Sequence, residues 1–507
     1  MILIGSLVAY LAVLVMLGRR GRVKHSPEYY DSGRTLSART VFIMVTALWS
    51  SSTIAVEIDT AYRYGVSAAW FGASVAVMSI LVSLLVPFFR RMNYVTNSSW
   101  LGTHFGPGLQ RLTAMVIGLT FPIFALSNAL VAAFFLHVAM GWPLWISLVM
   151  ITGIMVVYVQ FGGIVSLAHT QGLNLIMMLG GLGLIVWHLA QWTGPAHAVP
   201  AAFWDPTGIG SATILVWFGM NTLNVFSAQA EYQAVAGAQN VRHAQRAVWL
   251  SSAVLVAVVL VATGVGTAVR VDFGTAHSGL QAFSLLMTTH IAPWMKTGIA
   301  LGIWALALTW CGPLLFSGAS SLGRDVLGHD RMVQITRWAL VLEGVLMIGY
   351  GLWRPGAIAW WRVFGLTLRN AAVVIPTIAA LIWSDLSPKV VLGAVLAGVG
   401  TGMGLNAMTG FSATHFIGGV NPMWISATVG FIVLVIGRVY TKTVPYRRSV
   451  ISILVLAIGA IWGMNGHEIP TPYTGVLLVV VSLMGVGVVQ LLNRPQSVAL
   501  WKSEATG

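Results

Sequence analysis

The chain has 507 residues, 57% of them hydrophobic and 8% charged, with a formal net charge of +14. Soluble domains carry about 25% charged residues, so this composition excludes a soluble fold and describes an all-α, polytopic membrane protein. The basic excess sits in loops flanking apolar spans and requires no nucleic-acid partner. The single cysteine, Cys311, excludes an internal disulfide and a multi-thiolate metal site.

Apolar runs of about 17–25 residues fall at 2–18, 41–62, 68–89, 112–138, 143–161, 168–191, 213–232, 247–269, 294–316, 335–352, 358–383, 388–408, 422–440, 449–464 and 473–492. They read as about fifteen transmembrane helices, whose Gly and Pro interruptions neighbouring helices can compensate. The run 2–18 has no basic segment before it and is followed by Arg19, Arg20, Arg22 and Lys24, the pattern of a retained anchor rather than a signal peptide. No linker or low-complexity segment separates the runs, so 1–507 reads as a single transmembrane domain. Counting spans puts the basic clusters at 19–39, 90–111, 242–246, 324–337 and 438–448 on one side, against Arg63, Arg270 and Arg354 on the other. That asymmetry places the N-terminus outside and the C-terminus inside a cytoplasmic membrane.

Polar residues inside these runs are the candidates for function, because a carboxylate in hydrocarbon costs several kcal/mol unless a cation, a proton or a water cavity compensates it. Ser50, Ser51, Ser52 and Thr53 precede Glu57 and Asp59 in the second run. This grouping suits the handling of ions or polar solutes, with Glu57 the deeper acid and Asp59 either functional or paired with Arg63 one turn on. On an intact helix the two acids point about 200° apart, so they share a site only if that turn is unwound. Glu231 lies near the cytoplasmic end of its run, as a gate or loop anchor. Glu343 either snorkels toward Arg337 or serves a site. Trp49, Trp217 and Trp310 are the tryptophans placed to line a cavity.

Several strings resemble the sodium:solute symporter family in its own order. They are Ser32-Gly33-Arg34-Thr35-Leu36-Ser37; Pro87-Phe88-Phe89-Arg90-Arg91 with Val95-Thr96 and Leu101-Gly102-Thr103-His104-Phe105-Gly106; Tyr158-Val159-Gln160-Phe161-Gly162-Gly163; Tyr232 to Asn240 with Ala244 and Arg246; and Ser317 to Asp325. The resemblance covers residues 30–410. It implies a leucine-transporter-type fold of two inverted five-helix repeats, 41–191 and 213–383, with an extra helix at 2–18 and further helices at 388–492. The first helix of each repeat is then broken near the bilayer midplane, where half-helix ends serve solute and ion.

The resemblance also implies site residues. Ala47 and Ser50 stand where the family offers carbonyls to sodium, beside Ser51. Thr309 and Trp310 stand where the eighth core helix offers a hydroxyl pair, and an indole has no oxygen to give. A proton carried by Glu57 or Asp59 is therefore the alternative coupling ion to Na+. Asn221 and Asn224 fall where members contact solute, with Gln229 farther along. Arg369, mid-span beside Asn370, needs either Glu57 or Asp59 as partner or a substrate carboxylate. His169 stands where an acid is usual, in a structural role.

The expectation is a cation-coupled symporter of a small polar or charged organic solute, working by alternating access with no cofactor beyond Na+ or H+. Its partners are the solute and membrane lipid. The alternative is a non-transporting sensor on the same fold. No His-Glu-x-x-His, Gly-x-Ser-x-Gly or phosphate-loop pattern points to an enzyme or an ATP-driven pump.

Overall fold

The computed structural model describes residues 2–440, apart from 22, 24–25, 93–94, 161, 192–195, 328–331, 357, 413–414 and all but 279, 282 and 284 of 275–290. The expected spans at 449–464 and 473–492 lie outside the described residues. The described elements are helices: α1 (Ile2–Arg20), α2 (Ser26–Asp31), α3 (Ala38–Tyr64), α4 (Ala69–Met92), α5 (Asn97–Phe105), α6 (Pro107–Met140), α7 (Leu144–Val159), α8 (Gly163–Ala190), α9 (Ser211–Asn224), α10 (Gln229–Ala236), α11 (Val241–Phe273), α12 (Pro293–Ser320), α13 (Met332–Trp353), α14 (Ile358–Arg369), α15 (Ile375–Ile382), α16 (Pro388–Met408) and α17 (Pro422–Tyr440). Among the described residues, nine helical stretches are long and apolar enough to cross a membrane. The protein is an integral membrane protein.

The chain forms two compact units, each drawing on both expected repeats. Among the described residues, one comprises those of 2–96, 117–210 and 228–365; the other comprises those of 97–116, 211–227 and 366–440. In the first unit α3 packs on α11, α4, α8 and α12, while α8 and α12 pack together. Every residue from Met44 to Tyr62 of α3 and from Gly302 to Ser320 of α12 is buried. Helices buried all round are the inner layer of a bundle. The α8–α12 crossing is close because it is made of glycines: a Cβ on Gly181 would lie 2.7 Å from the Gly302 Cα. Small residues of this kind let membrane helices meet backbone to backbone.

In the second unit α16 packs on α17, and α9 on the turn that joins α14 to α15. That turn, Asn370–Val374, is a π-helix. Its cause is local, since Pro376 has no N–H for the carbonyl one turn back and its ring pushes that turn open.

The two broken helices expected of the repeats fare differently. In the second repeat α9 ends at Asn224 and α10 starts at Gln229, with the 225–227 amides reaching back three residues to Thr222, Leu223 and Asn224. In the first repeat the expected break over 47–59 is absent, because α3 is one helix of 27 residues. Its hydroxyls do not open the ladder. The Ser51 hydroxyl donates to the Leu48 carbonyl of its own helix at 2.9 Å, and no Gly or Pro interrupts 38–64.

Candidate functional site

In the first unit, the polar middle of α3 is held by side chains from two other helices. Asn128 on α6 donates to the Ser51 carbonyl at 2.9 Å and, at 3.4 Å, to the Leu306 carbonyl of α12. A helical carbonyl has a second lone pair, so these bonds add to the α3 ladder instead of replacing it. Arg362 on α14 donates to the Ser52 hydroxyl at 2.6 Å and to the Ser52 carbonyl at 2.8 Å. It also reaches Ser127 Oγ at 3.3 Å and Asn128 Oδ1 at 3.5 Å. The guanidinium carbon lies 4.7 Å from the Trp310 ring centre and 5.8 Å from that of Phe71. The Trp310 indole N–H, fixed on the Phe124 carbonyl at 2.8 Å, holds that ring in place.

Sequence reasoning did not single out Arg362. It lies eight residues beyond Arg354 and just after Trp360-Trp361, which reads as an interfacial belt. It is in fact buried. The usable signal was a charge about one helical turn inside an apolar run.

The hydroxyls expected to serve a coupling ion are buried, and several have no partner. Ser50 Oγ, Thr53 Oγ1 and Thr309 Oγ1 all lack a hydrogen bond, and Ala47 is fully buried on the same helix as Ser50. Gln171 Nε2 donates to the Thr309 carbonyl at 3.1 Å, and the Gln171 amide oxygen is unpartnered too. Buried polar atoms are nearly always satisfied, so these oxygens are candidates to meet a bound water or ion. Oxygen donors fit a hard cation such as Na+. Trp310 contributes no oxygen and turns its ring to Arg362.

Glu57 and Asp59 do not share a site. Glu57 is completely buried; its carboxylate oxygens meet the Thr263 hydroxyl of α11 at 2.8 Å and the Gly72 amide of α4 at 3.1 Å. Asp59 pairs with Arg63 at 3.2 Å, one turn on, and the Arg63 side chain is 45% exposed. The divergence follows from the unbroken helix, on which residues two apart face different ways. Gln229, expected at the solute, ties its amide nitrogen to Ser317 O and Oγ, both at 2.9 Å, and to Ser321 Oγ at 3.0 Å at the end of α12. Glu343 does not snorkel. It is fully buried with neither carboxylate oxygen bonded, and it lies against Gly318. His169 bonds the Val165 carbonyl of its own helix.

In the second unit a buried polar chain forms where α9 ends. Arg369 donates to Asn224 Oδ1 at 2.6 Å, and that oxygen also accepts from Ser227 Oγ at 2.9 Å. Ser227 Oγ lies 3.3 Å from Asn370 Oδ1, whose amide nitrogen reaches the Met220 carbonyl at 3.4 Å. Glu57 or Asp59, or else a substrate carboxylate, was the expected partner of Arg369; the partner seen here is the Asn224 amide oxygen. Asn221 is buried on the same helix as Asn224. The Trp424 ring lies directly on Gly219, two residues before Asn221, where a Cβ would fall 1.9 Å from a ring carbon.

The pattern of residues 29–200 matches a known model, that of the sodium:solute symporter family. Over this stretch the protein carries the sodium:solute symporter family pattern. It is the family that the loop strings resembled.

Two relatives overlap it. The human sodium/iodide cotransporter is 25% identical over 175 residues, covering 33% of this chain and 26% of that one. The Bos taurus sodium/myo-inositol cotransporter is 26% identical over 163 residues, covering 31% and 23%. The chain thus spans about a quarter of the length of these relatives. The fold likeness reaches further. A Na+-coupled sialic acid symporter, solved in a substrate-bound outward-open state, superposes with a TM-score of 0.67 at 14% identity over 86% of this chain and 96% of that one. A nucleobase-cation-symport-1 family transporter superposes at 0.56 with 12% identity, over 83% and 97%. The fold is one that transporters use.

Proposed function

We propose that the protein is a secondary active transporter that couples inward movement of a small polar or charged organic solute to a cation by alternating access. Most of the support comes from the orphaned hydroxyls of Ser50, Thr53 and Thr309 in the buried stretches of α3 and α12. Such atoms cost about 1–3 kcal/mol each when left unpaired, and a bound Na+ satisfies them. This reading assigns Ser50 and Thr309, with the Ala47 carbonyl, to sodium. It assigns Asn221, Asn224, Arg369 and Asn370 to the solute, for which amides and a guanidinium supply donors and acceptors together. The cotransporters of iodide and myo-inositol among the relatives agree with coupling to sodium. The loop charges orient the chain with its N-terminus outside the cytoplasmic membrane.

Proton coupling through Glu57 is a second reading, and one observation favours it. The single hydroxyl hydrogen of Thr263 faces two acceptors, Glu57 Oε1 at 2.8 Å and the Val259 carbonyl at 2.9 Å. A hydrogen on the Glu57 carboxyl balances both bonds.

The test begins with a thermal-shift screen of amino acids, short carboxylates and amines to find a solute. Uptake into proteoliposomes then follows, with sodium and pH gradients imposed separately. Accumulation driven by sodium alone is expected. Accumulation driven only by the pH gradient transfers the coupling to Glu57. Solute binding with no uptake under either gradient overturns the transporter reading in favour of a sensor.

A further inference from the structure

The Arg362 guanidinium is a whole positive charge buried within the first unit, and none of the preceding roles uses it. Its hydrogen-bond partners are all neutral oxygens: Ser52 Oγ, Ser52 O, Ser127 Oγ and Asn128 Oδ1. Two aromatic faces, of Trp310 and Phe71, enclose it. No described carboxylate lies within ion-pair distance of it, and Glu231 acts on it only at longer range. Its Nε–H has no partner.

Three oxygen-bearing residues from two helices thus turn their lone pairs on one point. That arrangement repels an anion and suits a monovalent cation. The ring faces add attraction of the same sign, because the negative face of an aromatic quadrupole binds cations. A guanidinium is also more weakly hydrated than an ammonium, so it is the side-chain cation that tolerates such burial best. We propose that the oxygen cluster of Ser52, Ser127 and Asn128 is a monovalent-cation site that the chain fills with its own side chain, the Arg362 guanidinium. The site is separate from the orphaned hydroxyls of Ser50, Thr53 and Thr309, and the proposal holds whichever ion drives uptake.

Removing the tenant opens the site. In the whole 507-residue chain purified in detergent, Arg362→Ala lowers the unfolding temperature, and low millimolar methylguanidinium, Na+ or K+ raises it saturably. N-methylglucamine at equal ionic strength does not. The wild type lacks the methylguanidinium and K+ responses, and adding Ser52→Ala to the variant abolishes them. A variant that no small cation stabilises beyond the wild type overturns the proposal. So does a wild type that carboxylates stabilise while Arg362→Ala is indifferent to them, which makes Arg362 an anion receptor. Should Arg362→Ala yield no folded protein, Arg362→Lys and Arg362→Met decide. Lys, which keeps the charge, stays closer to the wild-type unfolding temperature than Met, which keeps only the stem; Met equal to or above Lys refutes a cation site.

Discussion

Arg369 donates to the amide oxygen of Asn224 across 2.6 Å at the residue where α9 stops. The same oxygen takes the Ser227 hydroxyl, so one asparagine side chain stabilises both the helix end and a buried guanidinium. Asn224→Ala leaves that guanidinium short of an acceptor, a loss of about 1.5–3 kcal/mol for a bond to a charged group. Asn224→Asp keeps the acceptor and adds an opposite charge. The expected order of unfolding temperature is Asp at or above Asn, with Ala lowest. In uptake assays Ala raises KM, because Asn224 and Arg369 belong to the proposed solute site. An Ala variant with wild-type stability and wild-type KM removes the bond from both roles.

Glu57→Gln separates the two coupling readings. The amide can accept from Gly72 and donate to Thr263, so the bonds at 3.1 Å and 2.8 Å have neutral substitutes. Stability is expected to change by less than about 1 kcal/mol. With sodium coupling, uptake keeps its sodium dependence in the variant. With proton coupling, pH-driven accumulation is lost while solute binding persists. Thr263→Val is the companion variant and costs about 1–3 kcal/mol by leaving a carboxylate oxygen without its hydroxyl partner.

Ser50→Ala and Thr309→Ala test the orphaned oxygens. Neither hydroxyl has a partner to lose, so each alanine is expected to leave stability unchanged or slightly raised. The concentration of sodium giving half-maximal uptake should rise about tenfold, the cost of one ligand worth about 1.4 kcal/mol. A sodium titration identical to wild type in both variants excludes them as ligands.

The Asp59–Arg63 pair joins a buried acid to a half-exposed guanidinium one turn away. Arg63→Ala is expected to cost less than about 1 kcal/mol, as exposed pairs do, and to leave uptake intact. A large fall in uptake with stability preserved gives Asp59 the functional role that its position leaves open.

Gly181→Val and Gly302→Val place a branched carbon where the two backbones meet, 2.7 and 2.8 Å from the opposite Cα. Backbone cannot step aside as a long side chain can. Each variant is expected to lose about 1–3 kcal/mol or more, read as lower yield of monodisperse protein, whereas Gly180→Val, whose Cβ meets nothing within 4 Å, should be tolerated.

Hydropathy is a property of consecutive residues, and so the spans were legible in the chain alone. The run expected at 388–408 is the helix Pro388–Met408, and that at 294–316 lies within Pro293–Ser320. The loop strings resembling the sodium:solute symporter family lie partly in the 29–200 segment that matches its model. The gap after Asn224 was legible in the same way, through the resemblance. Three other features were decided only by which helices face one another. Whether Ser50 to Thr53 open α3 depends on whether their hydroxyls and carbonyls find partners within a closed ladder, and Ser51 back-bonds while Asn128 and Arg362 take the spare lone pairs. Which cation meets which acid depends on rotation about each helix axis, which separates Glu57 from Asp59 and gives Arg369 an amide. Whether a charge near a tryptophan belt looks outward or inward is likewise invisible in a one-dimensional pattern, and packing turns Arg362 to the interior.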